Sequence, residues 1–427
     1  MGFEDRVDTI LNGLLNSGSN ITYLSELRDK SIEELSKDRD LREVLGGIAK
    51  DVEELTTMFL EGKNEFGTNF ITGISTGIYL PDYENGSYKY TVLGGTTSRE
   101  NPTLVDNDTL FDVASITKLY VLVLTFKLEE LGLLDLNIPV KDLNPDFQNL
   151  GDFTLNDLIR LHGEYRTDGN VAQAESYEEA WQRLKTLYLL KDDRTKNTYN
   201  DFGPIVLGNT IEKVISAKLG RNMTLDEIMN EFLFIPLFVN SSKFKPGIVN
   251  IAGNANNIGM PHDPKSRNLG GVVASAGIFT NSEGLMGLAD GIFDGKYLNE
   301  EHVKRLGETT FEGSIKGNMG VYLKDKDLST TYTPGEFANG SFSHQGWTGS
   351  VASYDPYNKI HNNILVNAIE KNDDPEKLKN NKPLGFRNAF GLYQSELVKR
   401  IMLMYVVKKY YNKYCNYTED IEVAHTL

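Results

Sequence analysis

Residues 111–131, FDVASITKLYVLVLTFKLEEL, constrain the fold of this chain more than any other stretch. Apolar side chains there fall on nearly every side of a helix, so the predicted helix, stopped by Gly132, offers no face to water and needs protein all around it. The flanking patterns supply those surroundings. ITGISTGIYL (71–80) and YKYTVLGG (88–95), separated by a turn at Tyr83-Glu84-Asn85-Gly86, read as a β-hairpin. VVASAGIFT, SVASYDP and NNILVNAIE read as strands that complete a sheet after Pro264, with a closing helix over about 389–411. From about 145 to 265, helical spacing recurs in Leu155/Leu158/Ile159, Ala180/Trp181/Leu184 and Leu207/Ile211/Val214/Ile215. Val7/Ile10/Leu11/Leu14 and Val52/Leu55/Met58/Phe59 mark amphipathic helices ahead of the hairpin. The expected architecture is α/β (α+β): a central antiparallel sheet flanked by helices, with a mostly helical lobe and an N-terminal helical extension. In residue terms these are a helical extension over 1–62, an α/β body over 63–145 and 265–415, an inserted helical lobe over 146–264, and a tail over 416–427. A chain of 427 residues is large enough for one such body with an insertion, or for two domains.

Charge and composition remove several classes of partner. With 44 Lys and Arg against 60 Asp and Glu, the formal charge of −16 repels a nucleic-acid backbone or an anionic lipid surface. No stretch approaches 18 consecutive apolar residues, so no membrane span is expected. The single cysteine, Cys415, among Tyr410, Tyr411 and Tyr414, excludes an internal disulfide and reads as a passive thiol. MGFEDRVDTI lacks the pattern of a secretory signal, and Arg6 stands where a myristoylation motif needs Ser or Thr. The expected location is cytoplasmic, or extracytoplasmic if a leader has been removed. On the cytoplasmic expectation the sequons at Asn85 and Asn107 are chance products.

Metal and nucleotide chemistry have no motif. Six histidines are scattered without HExxH or CxxC, and the nearest candidate, His262-Asp263, precedes a proline in a loop. Neither GxGxxG nor GxxxxGK[ST] occurs, and no cofactor is expected. Two Ser-x-x-Lys pairs remain, Ser115/Lys118 and Ser242/Lys245. A lysine acts on a serine three residues earlier only if a helical turn puts both on one face. Pro246 biases Lys245 away from helical geometry, so Ser242 reads as an exposed loop serine. Ser115 and Lys118 instead open the buried helix. Desolvation and the positive helix end there both favour the uncharged amine, which can take a proton from serine. From this pair alone a second reading stays open, in which Ser115 caps the helix and Lys118 snorkels to solvent.

The segments FDVASITK, EELGLLDLNIPVKDLNPDF, FTLNDLIRLHG, TYNDFGPIVLGNTIEKV, GGVVASAGIFTNSEGL and HQGWTGSVASYDPYNKIHNNILVNAI, taken in order, resemble the serine beta-lactamase and penicillin-binding-protein superfamily. The resemblance is to its class C-like branch of esterases, D-peptidases and lactamases and covers roughly residues 65–410. It implies a beta-lactamase-like fold, with Ser115 as acylated nucleophile, Lys118 as its proton acceptor, and Tyr199 sharing the base role and protonating the leaving group. Read by themselves, Tyr199-Asn200-Asp201 are an N-cap for the following helix, and only the resemblance gives them a chemical role. Asp201 departs from the Asn usual at its position, and there it would favour the ammonium form of Lys118 or position a cationic substrate group. His344-Gln345-Gly346 resembles the Lys-Thr-Gly element with histidine in place of lysine. A mostly neutral histidine removes the permanent cation that holds a substrate carboxylate, which makes lactamase activity less expected. By the same resemblance, Gly346 lets a substrate approach the strand. The backbone amides of Trp347 and Ser115 form an oxyanion hole, and the Trp347 side chain walls an acyl pocket or belongs to the core. His162 and the turns at Gly270-Gly271 and Ala276-Gly277 are expected to be structural.

The expected function is a serine hydrolase cleaving a small-molecule ester, amide or peptide through a Ser115 acyl-enzyme. The alternatives are a D,D-carboxypeptidase or D-aminopeptidase acting on wall-type peptides, and a non-catalytic binding protein of the same fold.

Overall fold

The computed structural model describes residues 41–62, 71–82, 86–247, 250–253, 259–311, 314–324, 332–368, 389–405 and 407–408. The helices expected before residue 41, Asn85, Cys415 with its tyrosines, and the tail lie outside the described residues. Helix α1 (Leu41–Glu61) precedes the hairpin of β1 (Gly73–Asp82) and β2 (Gly86–Gly95), whose register runs from Gly73↔Gly95 to Asp82↔Gly86. Next come β3 (Leu110–Asp112), a single 3-10 turn (Ala114–Ile116) and α2 (Thr117–Glu130). The middle of the chain carries short helices at Leu155–Ile159, Tyr177–Lys185 and Leu225–Met229, the long α3 (Phe202–Leu219), and a small sheet of β4 (Glu164–Arg166) and β5 (Tyr188–Lys191). It also contains β6 (Lys243–Phe244) and β7 (Ile251–Ala252), strands in a stretch whose spacing reads as helical. Then follow β8 (Ile278–Thr280), α4 (Ser282–Phe293), β9 (Tyr322–Leu323), β10 (Phe342–Gln345), β11 (Val351–Asp355), β12 (Ile360–Val366) and α5 over 389–405.

The main sheet is antiparallel throughout, in the order β2-β1-β12-β11-β10-β9. Side chains alternate across it with the period of two that a strand imposes. Ile74, Ile78, Ile360 and Ile364 point to one face, where Leu45, Val52 and Phe59 of α1 and Tyr393, Leu397 and Ile401 of α5 cover them. Tyr79, Ala352, Tyr354 and Leu365 point to the other face and join α2, α4 and the middle helices in a second core. Helix α2 lies inside that core, as its all-round apolar pattern requires, with Leu119 through Phe126 buried on every side.

The helix begins later than its pattern implies. Leu110–Asp112 pair instead with β7 and β8, and the Val113 N–H donates to Ile278 O at 3.1 Å. Those backbone groups are committed to the four-stranded sheet β6-β8-β3-β7 and cannot join a helical ladder. Ser115 therefore sits in a tight turn between a strand end and a buried helix.

Candidate active site

Asp112 fixes that turn. Its Oδ1 accepts the Ala114 N–H at 2.8 Å, and its Oδ2 accepts the His262 N–H at 2.7 Å and lies 2.9 Å from His262 Nδ1. Ala114 is held at φ 44°, in the left-handed region that costs a non-glycine residue roughly 1–2 kcal/mol, so the surrounding bonds over-determine it. The result is selective exposure: from Thr109 to Phe126, Ser115 alone is not fully buried.

Below it, Lys118 is completely buried and does not snorkel. Its Nζ donates to Ser115 Oγ at 3.1 Å, Asp201 Oδ1 at 2.9 Å and the Ser275 carbonyl at 2.9 Å. Three acceptors match the three N–H bonds of an ammonium, whereas an uncharged amine has two. Burial by itself pushes Lys118 toward the neutral form, but the charge and hydrogen bonding of Asp201, aided by Tyr199, outweigh it and hold the group well above the ordinary lysine range. The neutral amine expected from burial and the helix end thus gives way to the ammonium form expected from Asp201, a carboxylate 83 residues away.

Asp201 precedes α3 but does not cap it. Asn200 Oδ1 accepts the Gly203 N–H at 2.8 Å, which leaves Asp201 free to face the lysines. Its Oδ2 bonds Lys265 Nζ at 2.6 Å. Burial would raise the Asp201 carboxyl, yet Lys118 and then Lys265 keep it far below the usual carboxylate range. Lys265 carries no sequence motif, and only the fold brings it here; Asp112 lies within the FDVASITK segment, which by itself gives it no role.

Tyr199 is exposed, with its ring 5.1 Å from Lys118 Nζ and 5.3 Å from Lys316 Nζ. It packs on Gly320, where an added Cβ would lie 2.5 Å from a ring carbon. On β10, His344 is buried, with Nδ1 3.0 Å from Gln345 O and Nε2 3.2 Å from Met319 O. Burial and the Lys118 charge push it down to about 4, against the pull of the two carbonyls, so it is uncharged at neutral pH. Gly346 abuts the Ser115 turn, its missing Cβ falling 2.5 Å from Val113 O, and Trp347 follows half-buried.

The remaining candidates separate from this cluster. His162 is buried against Asp157, with Nδ1 2.9 Å from Oδ1. Gly270, Gly271 and Gly277 take positive φ and shape the loop that presents Ser275 O to Lys118. Ser242 is not the exposed loop serine its sequence context suggests. It is buried, with Oγ 3.0 Å from Tyr120 Oη and 2.7 Å from Thr280 Oγ1, because β6 pairs with β8 and carries it into the core.

The low pKa of His344 has a consequence for stability. The unfolded histidine, near 6.5, binds a proton before the folded one does, so stability falls as pH drops from about 6.5 to 4. By pH 5 the loss assigned to this residue is about 2 kcal/mol. Urea titrations at pH 7 and pH 5 are expected to show wild type losing that much more than His344→Gln; equal losses would place the proton elsewhere.

The beta-lactamase family model matches residues 68–382. The chain belongs to the beta-lactamase family. A curated relative from Salmonella agona (strain SL483), named "Putative D-alanyl-D-alanine carboxypeptidase", is 25% identical over 323 residues, covering 64% of this chain and 72% of the relative. Among solved structures, the fold matches a beta-lactamase/D-alanine carboxypeptidase from Yersinia pestis complexed with citrate, with TM-score 0.59 and 15% identity over 83% of this chain and 99% of that one. It also matches a class C beta-lactamase in complex with cefoxitin, with TM-score 0.60 and 16% identity over 82% and 98%. Among the described residues of this beta-lactamase-family chain, no helix is long and apolar enough to cross a membrane.

Proposed function

We propose that this member of the beta-lactamase family is a serine hydrolase that cleaves an ester or amide through an acyl-enzyme on Ser115. The observation that carries the reading is the contact of Lys118 Nζ with Ser115 Oγ at 3.1 Å, at the one partly exposed point between Thr109 and Phe126. Ser115 Oγ attacks the carbonyl carbon and gives up its proton. Lys118 first releases one proton to bulk water; as the free amine it takes the Ser115 proton and returns it to the leaving oxygen or nitrogen as the bond to carbon breaks, directly or through the Tyr199 hydroxyl, which gives up its own proton as it receives one. Water releases the acyl group by the reverse sequence. The backbone N–H groups of Ser115 and Trp347 are the donors assigned to the oxyanion. Gly346 keeps the strand close to the serine, and the Trp347 ring walls the acyl side.

His344 bears on substrate choice. Buried and uncharged, it offers no cation to a substrate carboxylate, which favours neutral esters and amides. The Salmonella relative's name supports a second reading, D-alanyl-D-alanine carboxypeptidase activity. Intact-mass spectrometry after incubation with a fluorophosphonate and with benzylpenicillin tests the acyl-enzyme: an adduct is expected on wild type and none on Ser115→Ala. A panel of p-nitrophenyl esters, amino-acid amides and D-Ala-D-Ala peptides then separates the two readings. Folded wild type that forms no adduct and turns over none of the panel would instead be a binding protein of this fold.

A further inference from the structure

We infer that Lys265 is a positioning residue for Ser115, acting by sharing the Asp201 carboxylate so that Lys118 can give up its proton. The inference rests on the reading of Ser115 as nucleophile. The two oxygens of Asp201 are divided between the two lysines, Oδ1 to Lys118 at 2.9 Å and Oδ2 to Lys265 at 2.6 Å. Without Lys265, Lys118 would face an undivided carboxylate in a dry site, and its ammonium would be locked. With Lys265 in place, a second cation offsets that carboxylate and opposes the charge on Lys118.

Lys265 is built into the site rather than lying loosely on it. Its side chain is about three-quarters buried, with Nζ 5.9 Å from the centre of the Phe202 ring. It belongs to the short helix Pro264–Asn268, capped by Asp263 Oδ1 on the Ser266 N–H at 2.7 Å. Ser266 Oγ then donates to Ala276 O at 2.8 Å, beside the Ser275 carbonyl that receives Lys118. The helix carrying Lys265 and the loop receiving Lys118 are thus one hydrogen-bonded unit.

The charged and titratable groups around Lys118 come from every neighbouring element. Asp201 and Tyr199 precede α3, and Asp263 and Lys265 lie on the short helix. His344 stands on β10, and Lys316 lies beyond the Tyr199 ring. Asp263 opposes Lys265 and Lys316 reinforces it; both stay unchanged in the variants below, so the difference reports the Asp201–Lys265 pair.

The test is the pH dependence of Ser115 labelling by an uncharged fluorophosphonate, followed by intact mass from pH 6 to 10. Wild type is expected to label faster as pH rises. Lys265→Met and Lys265→Gln are expected to move that rise about one pH unit upward, slowing labelling roughly tenfold at a fixed pH on the slope. Lys265→Arg should restore the wild-type profile. Asp201→Asn should move the rise downward. In the Asp201→Asn background, where there is no carboxylate left to share, Lys265→Met should add little further shift, so the double variant follows Asp201→Asn and the two shifts do not add. A wild-type profile in either neutral Lys265 variant, or simple additivity in the double variant, overturns the inference and leaves the nucleophile intact. Failure of wild type to label at Ser115 overturns the hydrolase reading, and this inference with it.

Discussion

Lys118→Met is expected to slow acylation of Ser115 by about 10³-fold, the scale of a lost general base. Methionine matches the buried stem of lysine but removes the donor that touches Ser115 Oγ, Asp201 and the Ser275 carbonyl at once. The fold should survive. Asp201 retains Lys265 at 2.6 Å, so the cost stays below the roughly 3–5 kcal/mol of an orphaned buried charge. The measurement is the rate of adduct formation with the fluorophosphonate, paired with a urea titration. Labelling within threefold of wild type, in a variant that still unfolds cooperatively, would show that Lys118 does not take the serine proton. Loss of cooperative unfolding would show that Lys118 serves the fold.

Gly346→Ala is expected to lower acylation by about 10²-fold with only a modest change in stability. The added methyl carbon falls 2.5 Å from Val113 O, closer than real Cβ atoms approach, and 3.2 Å from Thr348 Oγ1. Val113 O cannot yield cheaply, because it accepts the Ile116 N–H at 3.0 Å and so closes the Ser115 turn. Either the turn or the end of β10 moves, and a displacement near 1 Å between a nucleophile and its oxyanion donors carries a penalty of this size. Stopped-flow hydrolysis of a p-nitrophenyl ester provides the rate. A wild-type rate would mean that β10 and the turn do not act together on the substrate.

Much of the frame could be read from local pattern. The alternation in 71–80 and 88–95 fits a hairpin because strand side chains repeat every two residues, and the pairing from Gly73↔Gly95 to Asp82↔Gly86 follows it. The all-round apolar run could only be a helix enclosed by protein, and α2 is enclosed. Short strands were harder. β3, β6 and β7 have two or three residues each, too few to show a period, and they exist because they pair with one another and with β8, which does fall in a run that reads as a strand. For the same reason the apolar pattern starts α2 too early and leaves Ser242 at the surface, whereas β6 draws it inside.

The chain's linear order carries the identity of the Ser115/Lys118 pair and its three-residue spacing, since a single helical turn joins the two and needs no distant partner. It carries the uncharged character of the residue at His344 in outline as well. The charge on Lys118 is a different kind of property. It depends on the balance between burial and a carboxylate held 2.9 Å away, and that carboxylate is itself divided with a lysine 64 residues further along. Electrostatic interactions act through space and grow as water is excluded, so the protonation of this site belongs to the folded arrangement of Lys118, Asp201 and Lys265 and to no segment of the chain taken alone.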